Sequence, residues 1–144
     1  EVFEKLFPGG KGSLTLTNPE NLLESGIEIS VQPRGKKVKK LSLLSGGERS
    51  LAAIAFLFSV FKSFPSPFYI LDEVEAALDD ANLHRMLNLL EFVKEDAQFL
   101  IVTHQQQTMQ AGDVLYGVTM QPGSGSRVFT KTKKDFETLI TKGE

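Results

Sequence analysis

The 144-residue sequence contains no cysteine. That excludes a disulfide framework and any zinc site built on thiolates, and it suits a reducing cytosol. With only two histidines, His84 and His104, a histidine-rich metal cluster is excluded as well. Tryptophan is absent and tyrosine occurs twice against eleven phenylalanines, a usage that favours a packed core over a carbohydrate or single-strand stacking surface. No apolar run approaches the roughly 20 residues needed to cross a bilayer. The start, Glu1 to Leu6, lacks the basic and long apolar stretches of a signal peptide. It also lacks an initiator methionine, so the chain is read as a piece of something longer. A formal charge of −2 gives no global argument for nucleic-acid binding.

What is present is ordinary globular composition, 41% hydrophobic and 24% charged, enough for one domain with a real core. Val2, Phe3, Leu6 and Phe7 have helical spacing, and Pro8-Gly9-Gly10 stops that helix. Alternating stretches predict strands over 13–17 and 26–32 with a turn at Asn18-Pro19, followed by a basic loop over 34–40. A solvated loop is favoured there over a DNA-phosphate contact. Ser45 with Glu48 three residues later is a capping box that opens a helix. From Leu51 to Phe61 this helix is apolar on nearly every face, so it is expected to lie buried in a larger body.

Phe68-Tyr69-Ile70-Leu71 reads as a central parallel strand ending on Asp72-Glu73. A helix is predicted over 79–94, and a second buried strand, Phe99 to Val102, ends at Thr103-His104. Strand, helix and strand in this order make a βαβ unit with both functional ends on one sheet edge. A hairpin is predicted from strands over 114–120 and 127–132, turning at Pro122-Gly123-Ser124-Gly125.

Three places carry chemistry, each with two readings. Asp72-Glu73 is either a strand end finishing in solvent or a magnesium-binding Asp72 beside a water-positioning Glu73. Ser45-Gly46-Gly47-Glu48 is either a plain helix cap or a helix N-terminus that accepts phosphate, with glycines permitting close approach. His104 is either a satisfied histidine after a strand or a donor to a γ-phosphate; His84 has no assigned role.

Taken in order, Leu44 to Glu48, Phe68 to Glu73, Ala77-Leu78-Asp79 and Ile101 to His104 resemble the signature, Walker B, D-loop and switch histidine of ABC ATPases. Val74-Glu75-Ala76-Ala77-Leu78-Asp79 and Gly112 to Met120 narrow this to a resemblance to the bacterial SMC chromosome-condensation family. Gln105-Gln106-Gln107 departs from the basic residue that many SMC proteins have after the histidine. A phosphate-binding loop needs Gly, four residues, then Gly-Lys and Ser or Thr. Gly10-Lys11-Gly12-Ser13 is a decoy, because Gly12 follows Lys11 and Lys5 stands where the first glycine belongs.

The resemblance therefore implies an α/β chain forming the C-terminal lobe of an ABC ATPase (P-loop NTPase) head. It implies a parallel sheet core, flanking helices and a C-terminal β-hairpin. Residues 1–144 would be one lobe, with 1–7 the end of a coiled-coil arm helix. ATP and Mg²⁺ are the implied cofactors. Asp72 would bind Mg²⁺, Glu73 and His104 would be catalytic, Ser45, Gly46, Gly47 and Glu48 would meet ATP in trans, and Asp79 would be the D-loop residue. The implied partners are the N-terminal lobe of the same protein, a second head, the winged-helix domain of a kleisin subunit, and DNA in the full complex, with no membrane. The isolated chain is expected to be inactive, and the assembled protein cytoplasmic and nucleoid-associated. The alternative is half of the head of another coiled-coil ABC ATPase, from recombination or repair.

Overall fold

A computed structural model describes residues 2–32, 34, 35, 37, 39–95, 97–120, 123 and 125–135. They fall into two compact units, Glu1–Val102 and Thr103–Glu144.

The first unit opens with a short helix, α1 (Val2–Leu6), which buries Val2 and Leu6. Strands β1 (Lys11–Leu16), β2 (Ile27–Gln32) and β3 (Lys39–Lys40) form an antiparallel sheet in that order. The basic segment 34–40 thus ends in a strand, and Lys40 Nζ lies 2.6 Å from Glu28 Oε1 on β2. Pro33, Lys36 and Val38 lie outside the described residues.

Helix α2 (Gly46–Ser63) starts where the capping box places it, and both reciprocal bonds of that box are formed. Leu51, Ala52, Ile54, Ala55 and Phe58 are buried, while Ala53 and Val60 are exposed. This helix therefore has a covered face and an open one, although its sequence is apolar nearly all round. Beyond it, β4 (Phe68–Asp72) and β5 (Gln98–Val102) pair in parallel, from Phe68 opposite Gln98 to Asp72 opposite Val102. The intervening helix α3 (Asp80–Val93) buries Leu83, Met86, Leu87, Leu89 and Leu90. Helix α1 packs on both α2 and α3, which also pack on each other.

Side chains alternate across a strand, and the two faces of the β4–β5 pair differ sharply. On one face an aromatic cluster from α2 covers the strands. Phe61 stacks on Tyr69 at 4.0 Å between centroids, Tyr69 on Phe99 at 5.2 Å, and Phe58 on Phe99 at 6.1 Å. The Tyr69 hydroxyl donates to the Phe61 carbonyl (3.2 Å) and accepts from the Ser66 amide (2.8 Å). On the other face Phe68, Ile70, Leu100 and Val102 remain 57, 62, 52 and 51% exposed. Expected as fully buried strands, these are half-buried, because among the described residues the pair has no third strand and no second covering layer.

The second unit holds α4 (Gln106–Ala111) and the antiparallel hairpin of β6 (Val114–Met120) and β7 (Ser126–Thr132). Helix α4 was not expected. It is six residues long, and Gln105 at its N-cap makes no side-chain cap bond, so it lacks both the length and the cap that announce a helix in sequence. Within the hairpin, Phe129 lies directly over Gly117, whose position leaves no room for a side chain: an added Cβ would sit 1.9 Å from Phe129 Cζ. Of the expected turn, Pro122 and Ser124 lie outside the described residues. Among the described residues no helix is long and apolar enough to cross a membrane.

Candidate functional site

Two local structures bring the sequence-predicted residues of the first unit into place. The first is the start of α2. Ser45, with extended backbone (φ −61°, ψ 162°), accepts a bond at Oγ from the Glu48 amide at 3.3 Å. Glu48 Oε2 accepts from the Ser45 amide (3.2 Å) and from Ser45 Oγ (3.1 Å). The Glu48 carboxylate is thus turned back onto its own cap. By the geometry of any α-helix, the amides of Gly46 and Gly47 have no carbonyl within the helix to reach, and the helix dipole places partial positive charge there.

The second is the turn from β4 to α3. Asp72 is the last residue of β4 and is exposed. Glu73 follows with φ +46°, the only non-glycine positive φ among the described residues. A left-handed conformation at a residue with a Cβ is strained by about 1–2 kcal/mol, and such strain clusters at functional sites. Two backbone bonds hold it: the Glu73 amide donates to the Val102 carbonyl (3.0 Å), and the Glu73 carbonyl accepts from Ala76 (3.1 Å). The turn continues with Leu78 donating to Glu75 (2.9 Å) and ends at Asp79. Asp79 is the N-cap of α3, its Oδ1 accepting from the Asn82 amide at 2.8 Å.

These two structures are neighbours. A Cβ placed on Gly47 would lie 3.1 Å from Asn82 Nδ2 and 3.5 Å from Asp79 Oδ2. The first turns of α2 and α3 therefore touch, and Ser45–Glu48 and Asp79 share one surface region. Asp72 and Glu73 stand at the carboxyl end of the parallel pair, joined to that region by the turn 73–79. His104 is exposed and belongs to the second unit, two residues beyond the end of β5. Beside it, Thr103 Oγ1 accepts from the Gln105 amide at 2.9 Å.

Sequence reading passed over two residues here. Glu75 is 1% exposed, a carboxylate buried inside the turn; its placement among Val74, Ala76 and Ala77 was the available signal. Asn82 is 9% exposed, and an asparagine in the first turn of a helix gives no signal of burial.

Among the described residues no group of three or more His, Cys, Asp or Glu side chains is gathered as a metal cage. A single carboxylate suits Mg²⁺ all the same, because that ion takes one or two carboxylates and completes its shell with water and phosphate oxygens. Asp72, a hard oxygen donor at an exposed strand end, fits such a role.

Comparison with known proteins places the chain in a family. The family described as RecF/RecN/SMC N terminal domain matches residues 14–126. The chain belongs to that family. Among curated SMC relatives, the chromosome partition protein Smc of Mycobacterium tuberculosis is 58% identical over 120 residues, 83% of this chain and 10% of that protein. The chain spans about a tenth of the length of the curated Smc relatives it matches. One solved chain, from the structural biochemistry of ATP-driven dimerization and DNA stimulated activation of SMC ATPases, superposes with a TM-score of 0.82 at 37% identity. That match covers 98% of this chain and 85% of the solved one. The Smc head domain with an extended coiled coil from Pyrococcus furiosus, bound to the C-terminal domain of ScpA, gives 0.80 at 38% identity. It covers 98% of this chain and 35% of that one. The structural neighbours of this SMC-family chain are thus SMC ATPase heads.

Proposed function

We propose that this chain is the C-terminal half of an SMC ATPase head, catalytically incomplete until joined by a half that carries the Walker A loop. The family's description names an N-terminal domain; what favours the C-terminal half is content. Signature-like, Walker B-like and D-loop-like residues occur in that order, and the Gly-Lys-Ser/Thr loop that cradles phosphates does not occur.

The observation that carries the proposal is the open face of the β4–β5 pair. Phe68, Ile70, Leu100 and Val102 present a contiguous apolar strip beside Asp72. Parallel sheets in α/β proteins are covered on both faces, and among the described residues a single face is. The missing strands and layer are those of the Walker A lobe, whose docking would bury the strip and set its phosphate loop near Asp72 and Glu73.

In the completed head, Asp72 holds Mg²⁺, which when bound neutralises charge on the phosphates. Glu73, held out of the strand by its left-handed backbone, orients the attacking water and accepts its proton. His104 donates to the γ-phosphate. Ser45 and the amides of Gly46 and Gly47 serve the nucleotide of an opposing head, so that ATP joins two heads. Glu48 contributes by fixing the Ser45 cap, and Asp79 sits between the two sites. In the cell such heads would act on chromosomal DNA in the cytoplasm, in chromosome condensation and segregation.

The hairpin supplies a second surface. Val114, Tyr116, Val118, Met120 and Val128 lie on one face and are all exposed. Aromatic and aliphatic side chains in this density suit burial against a partner. The SMC relative bound to a ScpA domain supports assigning this chain a kleisin winged-helix partner.

The test is Ser45→Arg in a complete head that also carries Glu73→Gln, so that ATP-joined dimers accumulate. A lost helix cap alone costs about 1 kcal/mol and leaves dimers intact. The proposal requires that each head still bind ATP while dimers vanish from size-exclusion mass analysis. Persistent ATP-dependent dimers would refute it.

A further inference from the structure

The two adjacent glycines at the start of α2 stand in different surroundings. An added Cβ at Gly46 meets nothing within 4 Å. At Gly47 it meets Asn82 Nδ2 at 3.1 Å and Asp79 Oδ2 at 3.5 Å. We infer that Gly47 is small to accommodate the chain's own Asn82, that Gly46 is small to leave space for an external ligand, and that Asn82 is a positioning residue for the α2 N-terminus. The ligand assignment rests on the reading of that N-terminus as the part that meets another head's ATP.

Asn82 is suited to this role because it is fixed. It is nearly fully buried. Its backbone amide donates to Asp79 Oδ1 at 2.8 Å, and its Oδ1 accepts from Arg85 Nη1 at 3.3 Å. With its side-chain oxygen engaged, the amide nitrogen cannot swing aside without breaking the bond to Arg85. A contact of 3.1 Å from a Cβ is tighter than ordinary van der Waals packing, so alanine at Gly47 requires Asn82 or the first turn of α2 to give by a few tenths of an ångström. Asn82 thereby sets the separation between the first turn of α2 and the Asp79 cap of α3. Ser45 and Asp79 are held in fixed relation through a residue that need not touch nucleotide itself.

A double-mutant cycle in the complete head separates this from a simple need for small residues beside phosphate. Four proteins are compared with the parent, all carrying Glu73→Gln: Gly46→Ala, Gly47→Ala, Asn82→Ala and the Gly47→Ala/Asn82→Ala pair. The measurements are the melting temperature without nucleotide, ATP binding by single heads, and ATP-dependent dimerisation. Gly47→Ala is expected to lower the melting temperature, and Asn82→Ala to absorb that loss, so that the pair melts no lower than Asn82→Ala alone. Such non-additivity marks residues in contact. Gly46→Ala is expected to leave melting unchanged or raise it, while weakening dimerisation by roughly tenfold or more, the size of one lost close contact. Asn82→Ala is expected to keep ATP binding by single heads and to weaken dimerisation by a similar factor, a split that a purely structural residue would not produce. If Asn82→Ala does not fold, Asn82→Ser gives the same comparison with a smaller polar side chain.

Additive melting losses at Gly47 and Asn82 would overturn the contact. Normal dimerisation of a folded Asn82 variant would overturn the positioning role. Dimerisation unaffected by both Gly46→Ala and Ser45→Arg would instead overturn the reading of α2 as a nucleotide-binding end, and with it the ligand space at Gly46. The Gly47–Asn82 melting coupling would survive that result, so the two failures are distinguishable.

Discussion

Glu73 carries a backbone conformation that glycine adopts freely (φ +46°). Replacing it with glycine therefore has two effects on stability of opposite sign. Relief of the left-handed strain contributes about 1–2 kcal/mol. The looser unfolded chain of a glycine takes back about 0.5–1 kcal/mol. The net is between about zero and 1.5 kcal/mol of added stability, where an exposed Glu→Gly change in ordinary backbone would lose up to about 1 kcal/mol. For a head larger than 150 residues this raises the melting temperature by up to about 3–6 °C, at about 2–4 °C per kcal/mol. Hydrolysis should move the other way. On the role proposed for Glu73, removing its carboxylate is expected to slow turnover on the order of a hundredfold or more in the completed head, with ATP binding kept. The assays are thermal denaturation without nucleotide and steady-state phosphate release on the same preparation. A fall of more than about 1 kcal/mol, with activity lost only in proportion to folded protein, would refute both the strain and the role.

Two further outcomes follow from the geometry of single side chains. Tyr69→Phe removes a hydroxyl that donates to Phe61 and accepts from Ser66; it should destabilise by about 1–2 kcal/mol in denaturant titration, with ATP binding unaltered, and a neutral result would show these bonds to be replaced by water. Asp135 has its carboxyl held below its ordinary value of 3.8, first by the Thr132 backbone amide and then by the Thr132 hydroxyl. A depressed carboxylate adds stability above its unfolded value and loses it as pH falls through the lower folded one. Amide-exchange protection at the end of β7 should therefore drop in that acid window, and Asp135→Asn should abolish the step; an unchanged step would assign it to another group.

Much of the fold was legible in the sequence because its signals are local. The Ser45–Glu48 box spans four residues and forms at those residues, and the helix expected over 79–94 runs from Asp80 to Val93. The parallel pair was readable from two short apolar runs flanking a helix of the right length. What escaped was set by packing over longer distances. The runs at 68–71 and 99–102 read as buried on both faces, and one face is open, because an apolar pattern records what a strand is meant to touch and not what is present to touch it. Helix α4 carried neither cap nor periodicity. The approach of Gly47 to Asn82 joins residues 35 positions apart, and no single-turn signal reaches that far. The left-handed Glu73 was equally hidden, since nothing in the residue type requires it. Asp72, Glu73, Ser45 and Asp79 stood out by residue type and position as candidates; the way their supporting turns meet was not legible.

The central claim is that this chain supplies half of a composite ATPase, and reconstitution tests it most directly. The chain is assayed for magnesium-dependent ATP hydrolysis alone, with the Walker A-bearing half of the same protein, and with that half carrying a substituted Walker A lysine. The account predicts background turnover for the chain alone, restored hydrolysis on mixing with the intact half, and none with the substituted one. Robust turnover by the chain alone, or no turnover from two folded halves that co-elute, would contradict it.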